Sequence, residues 1–217
     1  MGQKRVAKPS KVCARKKPEV AVTSQLSLLP ETSLSPAGLQ YQPDFISEQD
    51  EHSIVRHLQS LTLQPFQFGA FEGKRRVASF GWRYDYSQQK LQKAEALPDW
   101  IAPLIMRVEA FGGLPNGAIR QVLVTEYEAG AGIGWHRDKP HFEEVFGLSL
   151  LSACRFRFRR RTDESWRRYT FRAEPRSLYL MEGESRHVWE HSIPPVEQVR
   201  YSVTFRSMTR EVARAPR

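Results

Sequence analysis

The chain has 217 residues, 40% of them apolar and 11% aromatic, which is enough to bury one sizeable core and, on length, points to a single domain with tails. A formal charge of +9 favours polyanionic partners, because each Lys or Arg brought to a phosphate releases condensed counterions. No run approaches the roughly 18 consecutive apolar residues of a membrane span, and no apolar secretory core follows the N-terminus, so a soluble, monomeric protein of the cytoplasm with no membrane partner is expected.

Residues 1–38 mix charge with Pro, Ser and Thr and show no apolar period, the composition of a segment that cannot offset its ordering entropy. Lys4, Arg5, Lys8, Lys11, Arg15, Lys16 and Lys17 face a single acid, Glu19, so this stretch reads as a basic disordered arm. Cys13 in the arm and Cys154 in an apolar run sit in contexts too different for a disulfide framework, which fits a reducing, intracellular compartment. The folded domain is expected over 39–210, followed by a short tail at 211–217. Ser47 followed by Glu48, Asp50 and Glu51 reads as a capped helix start, with Ile54, Val55, Leu58 and Leu61 as its apolar stripe. A second helix is predicted from 99 to about 111, with Ile101, Leu104, Ile105 and Val108 on one side. From Ala118 onward, β-branched and aromatic runs at 121–127, 145–158, 166–172, 178–181, 188–192 and 201–205 are separated by Gly, Pro and charged turns, the pattern of an antiparallel sandwich or barrel. The fold class is therefore α+β, a β-sandwich core with N-terminal flanking helices.

Chemistry concentrates in two places. In Gly134-Trp135-His136-Arg137-Asp138, residues i and i+2 of an extended segment point to one side, so His136 and Asp138 can converge on one ion. A third ligand is needed, and His141, His187 and His191 follow. His141 shares the loop of the pair and reads as a solvated loop residue. His187 and His191 are four apart, so an extended strand puts both on one face; the spacing to a downstream arginine favours His191. Two imidazoles and one carboxylate leave positions open for substrate and oxygen at Fe(II), although the same donors suit Zn(II). The second place is Arg200-Tyr201-Ser202-Val203-Thr204-Phe205-Arg206, where alternation puts Arg200, Ser202, Thr204 and Arg206 on one face. Two inward arginines bury costly charge unless a dianion lies between them, and a guanidinium fork matches a carboxylate.

The stretch Tyr-Glu-Ala-Gly-Ala-Gly-Ile-Gly-Trp-His-Arg-Asp over 127–138, His191 followed by Ser-Ile-Pro-Pro, and the Arg-Tyr-Ser-Val-Thr-Phe-Arg strand together resemble the AlkB family of Fe(II)- and 2-oxoglutarate-dependent dioxygenases, from roughly Leu39 to Met208. That resemblance implies a double-stranded β-helix (jelly-roll) core, with His136, Asp138 and His191 on iron. It implies that Arg200 holds the distal carboxylate of 2-oxoglutarate, helped by Tyr127 and Ser202, with Arg206 near the metal-proximal end. Thr125 stands where several relatives carry Asn, and a hydroxyl replaces only part of an amide's hydrogen bonding. The implied reaction consumes O2 and 2-oxoglutarate, yields succinate and carbon dioxide, and hydroxylates a carbon; on an N-alkyl group the product releases an aldehyde. Alkylated DNA or RNA is the implied substrate, and protein or small-molecule substrates are the alternative.

Base chemistry requires an unstacked base held against aromatic surface. Phe80-Gly81-Trp82-Arg83-Tyr84-Asp85-Tyr86 resembles the nucleotide-recognition lid of that family, which makes Trp82 the expected stacking residue, with Tyr84, Tyr86, Arg83 and Arg137 beside it. Lys74, Arg75 and Arg76 are candidate phosphate contacts. In Cys154-Arg155-Phe156-Arg157-Phe158-Arg159 the aromatics read as core and the arginines as an outer stripe.

Overall fold

The computed structural model describes residues 1–2, 35–68 and 71–209. Most of the expected arm, with Cys13, and the tail at 211–217 lie outside the described residues. All the regular elements among the described residues belong to the unit from Ser33 onward.

Alternation along the long strands sorts the chain into faces. In chain order the elements are β1 (Leu39–Gln42), α1 (Glu48–Gln59), β2 (Gln64–Phe68), β3 (Phe71–Phe80), β4 (Trp82–Asp85), β5 (Lys90–Lys93), α2 (Ala102–Phe111), β6 (Ile119–Tyr127), β7 (Ile133–His136) and β8 (Phe142–Leu150). Then come β9 (Cys154–Arg161), β10 (Trp166–Ala173), β11 (Leu178–Met181), α3 (Gly183–His187), β12 (Glu190–Ile193) and β13 (Arg200–Met208). A major sheet runs β1-β11-β8-β13-β6-β3-β2, a minor sheet β10-β9-β12-β7, and β4 pairs with β5 as a separate hairpin. Two antiparallel sheets of this kind are the expected jelly roll.

One face of the major sheet carries Tyr201, Val203 and Phe205 of β13, Val122 and Val124 of β6, and Leu148 and Leu150 of β8, in a cluster with Val55 and Leu58 of α1 and Leu104, Ile105 and Val108 of α2. Each such aliphatic side chain taken from water contributes about 1.5–3 kcal/mol. α1 starts where the sequence predicts: the Ser47 hydroxyl accepts from Asp50 N at 3.0 Å while the Asp50 carboxylate accepts from Ser47 N at 3.2 Å, a capping box. The opposite face of the sheet, with Tyr127, Val145, Tyr179 and Met181, meets Phe156, Phe158 and Ile193 of the minor sheet. The site lies between the two sheets.

Three expectations need correction. The chain is not helices first and strands after, because β1 precedes α1 and β2 to β5 separate α1 from α2. The apolar run at 145–158 is two strands in different sheets, broken at Leu151, where φ is +68°; β8 is buried on both faces over 145–150, so its apolar texture runs on without a visible break. The strand predicted at 188–192 starts only at Glu190, because α3 occupies 183–187.

Candidate metal centre and co-substrate cavity

Pairing of β12 with β7 sets His191 opposite His136, with ring centroids 4.2 Å apart. Gly132 permits this approach: a Cβ there would lie 2.6 Å from the Ile193 carbonyl oxygen and 3.0 Å from Pro195 N, so a side chain would hold the loop before β7 away from the chain after β12. Asp138, two residues beyond His136, brings Oδ2 to 3.5 Å from His191 Nε2. The ligand atoms of His136, Asp138 and His191 all lie within 4.8 Å of one another, a two-histidine, one-carboxylate face of the kind that suits Fe(II) with open positions.

A second ring of contacts aims these ligands. His136 Nδ1 lies 2.9 Å from Gly134 O; an N–H donated there leaves Nε2 as the ligand atom. Asp138 Oδ1 accepts from Arg206 Nη2 at 2.7 Å, and Arg206 Nη1 donates to Gln121 Oε1 at 2.8 Å. Burial pushes the Asp138 carboxyl up, but Arg206, His191, His136 and Arg186 together outweigh it and hold the group well below the usual carboxylate range. Burial, reinforced by His136, pushes the His191 imidazole down to about 3 against the pull of Asp138, so its nitrogen is unprotonated and free to ligate at neutral pH.

Arg186, on α3, is buried and donates to the carbonyls of Lys139 at 2.6 Å and Phe142 at 2.8 Å. It pins the loop that carries Asp138. Sequence reading passes over it, since neither periodicity nor motif marks an arginine in a single helical turn.

The triad opens on a cavity of about 1230 Å³. Its wall includes Thr125, Tyr127, Ser202 and Arg206 from the major sheet, Tyr84, Tyr86 and Arg83 from the β4–β5 region, and Arg137 beside the triad. Arg200 lies beneath this wall, fully buried, with Nε 3.2 Å from the Ser149 hydroxyl. Its Nη1 and Nη2 have no hydrogen-bond partner among the described residues, and its Cζ is 5.1 Å from the centroid of the Tyr127 ring. An enclosed guanidinium with two unengaged donors fits an incoming carboxylate. Burial pushes the Tyr127 hydroxyl up, with Arg200 opposing, so Tyr127 stays a neutral hydrogen-bond donor. The donor set thus fits both the metal and a dianionic co-substrate.

Other expected residues lie elsewhere. His187 ends α3, outside the triad, with Nε2 3.1 Å from Glu143 Oε1; the shared-strand argument fails for it because a helical turn precedes Glu190. His141 is half-buried rather than solvated, 5.6 Å from the Tyr84 ring. Trp82 does not line the cavity: it stands opposite Lys93 on the hairpin, and the aromatic surface there comes from Tyr84, Tyr86 and Phe66. The arginines of β9 flank Trp135 on the minor sheet, with Arg157 and Arg159 at 4.9 and 4.4 Å from its ring centroid.

A family model described as the 2OG-Fe(II) oxygenase superfamily matches residues 38–208. The chain belongs to this superfamily. Within the superfamily it is of AlkB type, and its cofactor and co-substrates are Fe(II), 2-oxoglutarate and O2. It is 29% identical over 211 residues to the "Alkylated DNA repair protein ALKBH8 homolog" of Arabidopsis thaliana, an alignment covering 83% of this chain and 58% of that protein. It is 33% identical over 106 residues to the "Probable RNA/DNA demethylase ALKBH6" of Danio rerio, covering 49% and 43%. The chain thus spans well under two thirds of either relative. The solved structure of OsALKBH1 superposes with a TM-score of 0.61 at 16% identity, covering 80% of this chain and 97% of that one, which shows the fold. Among the described residues no helix is long and apolar enough to cross a membrane.

Proposed function

We propose that this AlkB-type oxygenase removes N-alkyl groups oxidatively from nucleic-acid bases. The observation that carries this reading is the cavity wall facing the triad, where Tyr84 and Tyr86 stand among Arg75, Arg83, Lys93, Arg137 and Lys139 with Glu95 and Asp138 as the acids. Tyrosine faces suit an unstacked base, and cations around it suit its phosphates. Lys139 Nζ lies 4.6 Å from the Tyr84 ring centroid and 5.0 Å from that of Tyr86, so the loop carrying Asp138 and the segment around the hairpin close on one another.

When bound, Fe(II) with 2-oxoglutarate and O2 supplies the oxidative chemistry, converting the co-substrate to succinate and carbon dioxide while one oxygen atom enters a substrate C–H bond. The protein's part is orientation. His136, Asp138 and His191 hold the metal, and Arg206 keeps the Asp138 carboxylate ionised and aimed. Arg200 takes the distal carboxylate of 2-oxoglutarate with Tyr127 and Ser202 beside it, Thr125 lines the same pocket, and Arg206 serves the metal-proximal end. Tyr84, Tyr86, Arg83 and Arg137 bound the space for the base.

The test incubates anaerobically purified, iron-loaded protein with 2-oxoglutarate, ascorbate and an oligonucleotide carrying N1-methyladenine or N3-methylcytosine, then admits air. Replacement of one methyl by hydrogen, a fall in base mass of one CH2 with formaldehyde released, coupled to succinate and absent in Asp138→Ala, is expected. Succinate without a change in base mass refutes these substrates and turns the search to proteins and small molecules.

A further inference from the structure

Arg75 and Arg76 are neighbours on β3, so alternation sends their side chains to opposite faces of the major sheet. Arg76 meets carboxylates, with Nη2 2.5 Å from Glu126 Oε1 and 4.0 Å from Glu128 Oε1. Arg75 faces the cavity. There its Cζ lies over the ring of the edge-strand residue Phe66, 3.7 Å from the centroid, and no hydrogen bond or ion pair engages it among the described residues. Burial lowers its proton affinity, opposed only by Tyr127 and Tyr86. A half-buried cation without a counter-ion costs free energy that a bound anion recovers, and stacking on a ring fixes a guanidinium's plane while leaving its edge donors for a planar oxyanion.

Two considerations assign that anion. The co-substrate's distal carboxylate already has a partner in Arg200, whose two Nη donors are unengaged and wholly enclosed, and its metal-proximal end has Arg206, held by Asp138 and Gln121 with a buried Nε that no group engages among the described residues. Arg75, by contrast, is only partly covered and is seated on Phe66 of β2, the outermost strand of the major sheet, while Tyr86 packs edge-on against the same Phe66 ring at 5.5 Å and feels the charges of Arg206 and Asp138 at the metal centre. The position is that of a group on the substrate rather than on 2-oxoglutarate.

We propose that Arg75, held on Phe66 and flanked by Tyr86, is an anion-binding subsite of the substrate cavity and takes a phosphate or carboxylate oxyanion carried by the nucleotide whose base is presented to the metal. This rests on the nucleic-acid reading above and adds a specificity element to it. The test measures equilibrium binding by calorimetry on the full chain loaded with Fe(II) and 2-oxoglutarate under anaerobic conditions, where turnover does not occur. The probes are an N-methylated nucleoside, its 5′-monophosphate and a nucleoside bearing a carboxymethyl group on the base. In the unaltered protein, one anionic probe binds about tenfold to a hundredfold more tightly than the neutral nucleoside, the range of a charge-assisted hydrogen bond, and which probe gains identifies the source of the oxyanion. Arg75→Gln removes that gain, Arg75→Lys retains part of it, and 2-oxoglutarate affinity stays unchanged in both. Survival of the gain in Arg75→Gln, or weakened 2-oxoglutarate binding in that variant, overturns the assignment. If the neutral nucleoside binds and neither anion adds affinity, this inference alone fails; if no nucleoside binds while 2-oxoglutarate does, the nucleic-acid reading fails with it.

Discussion

Arg186 links the stability of the fold to the geometry of the metal centre, and replacing it with Met separates the two. Its guanidinium makes two short bonds to the carbonyls of Lys139 and Phe142, and a hydrogen bond from a charged donor contributes about 1.5–3 kcal/mol. Met fills much of the volume and buries no charge, which offsets part of the loss, so about 2–4 kcal/mol of net destabilisation is expected, from the two charged bonds lost; the Lys139 carbonyl keeps the Phe142 N–H at 3.2 Å. For a chain of 217 residues each kcal/mol moves Tm by about 2–4 °C, giving a fall of roughly 5–15 °C by scanning calorimetry of the metal-free protein. Freed of its anchor, the 139–142 loop lets Asp138 wander, and loss of such outer partners weakens metal binding about tenfold to a hundredfold, which anaerobic Fe(II) titration reads directly. A lower Tm with unchanged Fe(II) affinity refutes the positioning role and leaves Arg186 a purely structural brace; an unchanged Tm refutes the energetic argument itself.

Three further outcomes are expected. His187→Ala leaves Fe(II) binding intact and His191→Ala abolishes it, by the same titration; retained iron in the second variant contradicts the triad. Arg200→Gln, which removes the enclosed donors Nη1 and Nη2, weakens 2-oxoglutarate at least a hundredfold, roughly the worth of two charge-assisted bonds; calorimetric binding that matches the parent protein is the opposing result. Burial and then its bond to Glu126 Oε2 push the Tyr201 hydroxyl up to about 12, whereas the unfolded chain ionises near 10, so this contribution is whole below pH 10 and is lost as pH rises to 12. Denaturant titrations of Tyr201→Phe therefore fall less steeply over that pH range than those of the parent, and parallel curves count against the assignment.

How much the sequence made legible depends on how locally each feature is encoded. The Ser47 cap, the α1 stripe and the alternation of β13 are written within a few residues, and each stands in the structure where the pattern predicts. Strands β1 to β5 escaped because they lie at sheet edges or in a hairpin and carry charges and glutamines, as in Phe71–Phe80 and Lys90–Lys93, where half-exposed pairing rather than apolar content defines the strand. The His187 and His191 ambiguity turned on whether the chain between them was extended, and one helical turn decides it in a way that no local composition announces. Arg186 was hidden outright, since it matters only through the carbonyls that tertiary contact brings to it; Arg75 was visible as one of three basic neighbours, and what the sequence could not show is that Arg76 meets carboxylates while Arg75 faces the cavity.

The strand that was most legible also explains why the site needs the whole fold. Opposite faces of β13 carry Tyr201, Val203 and Phe205 into the cluster with the helices, and Arg200, Ser202, Thr204 and Arg206 toward the inter-sheet space. Because side chains alternate with period two, a slip of one residue against β6 exchanges those sets, burying two guanidiniums among aliphatics and turning a phenylalanine toward the metal. The apolar face is therefore what fixes register, and register is what delivers Arg200 opposite Tyr127 and Arg206 opposite Gln121. Substitutions at Val203 or Phe205 that touch neither metal nor co-substrate should on this account weaken 2-oxoglutarate binding in proportion to the register they disturb, while those at Val55 of α1, which leaves β13 paired on both sides, should cost stability alone.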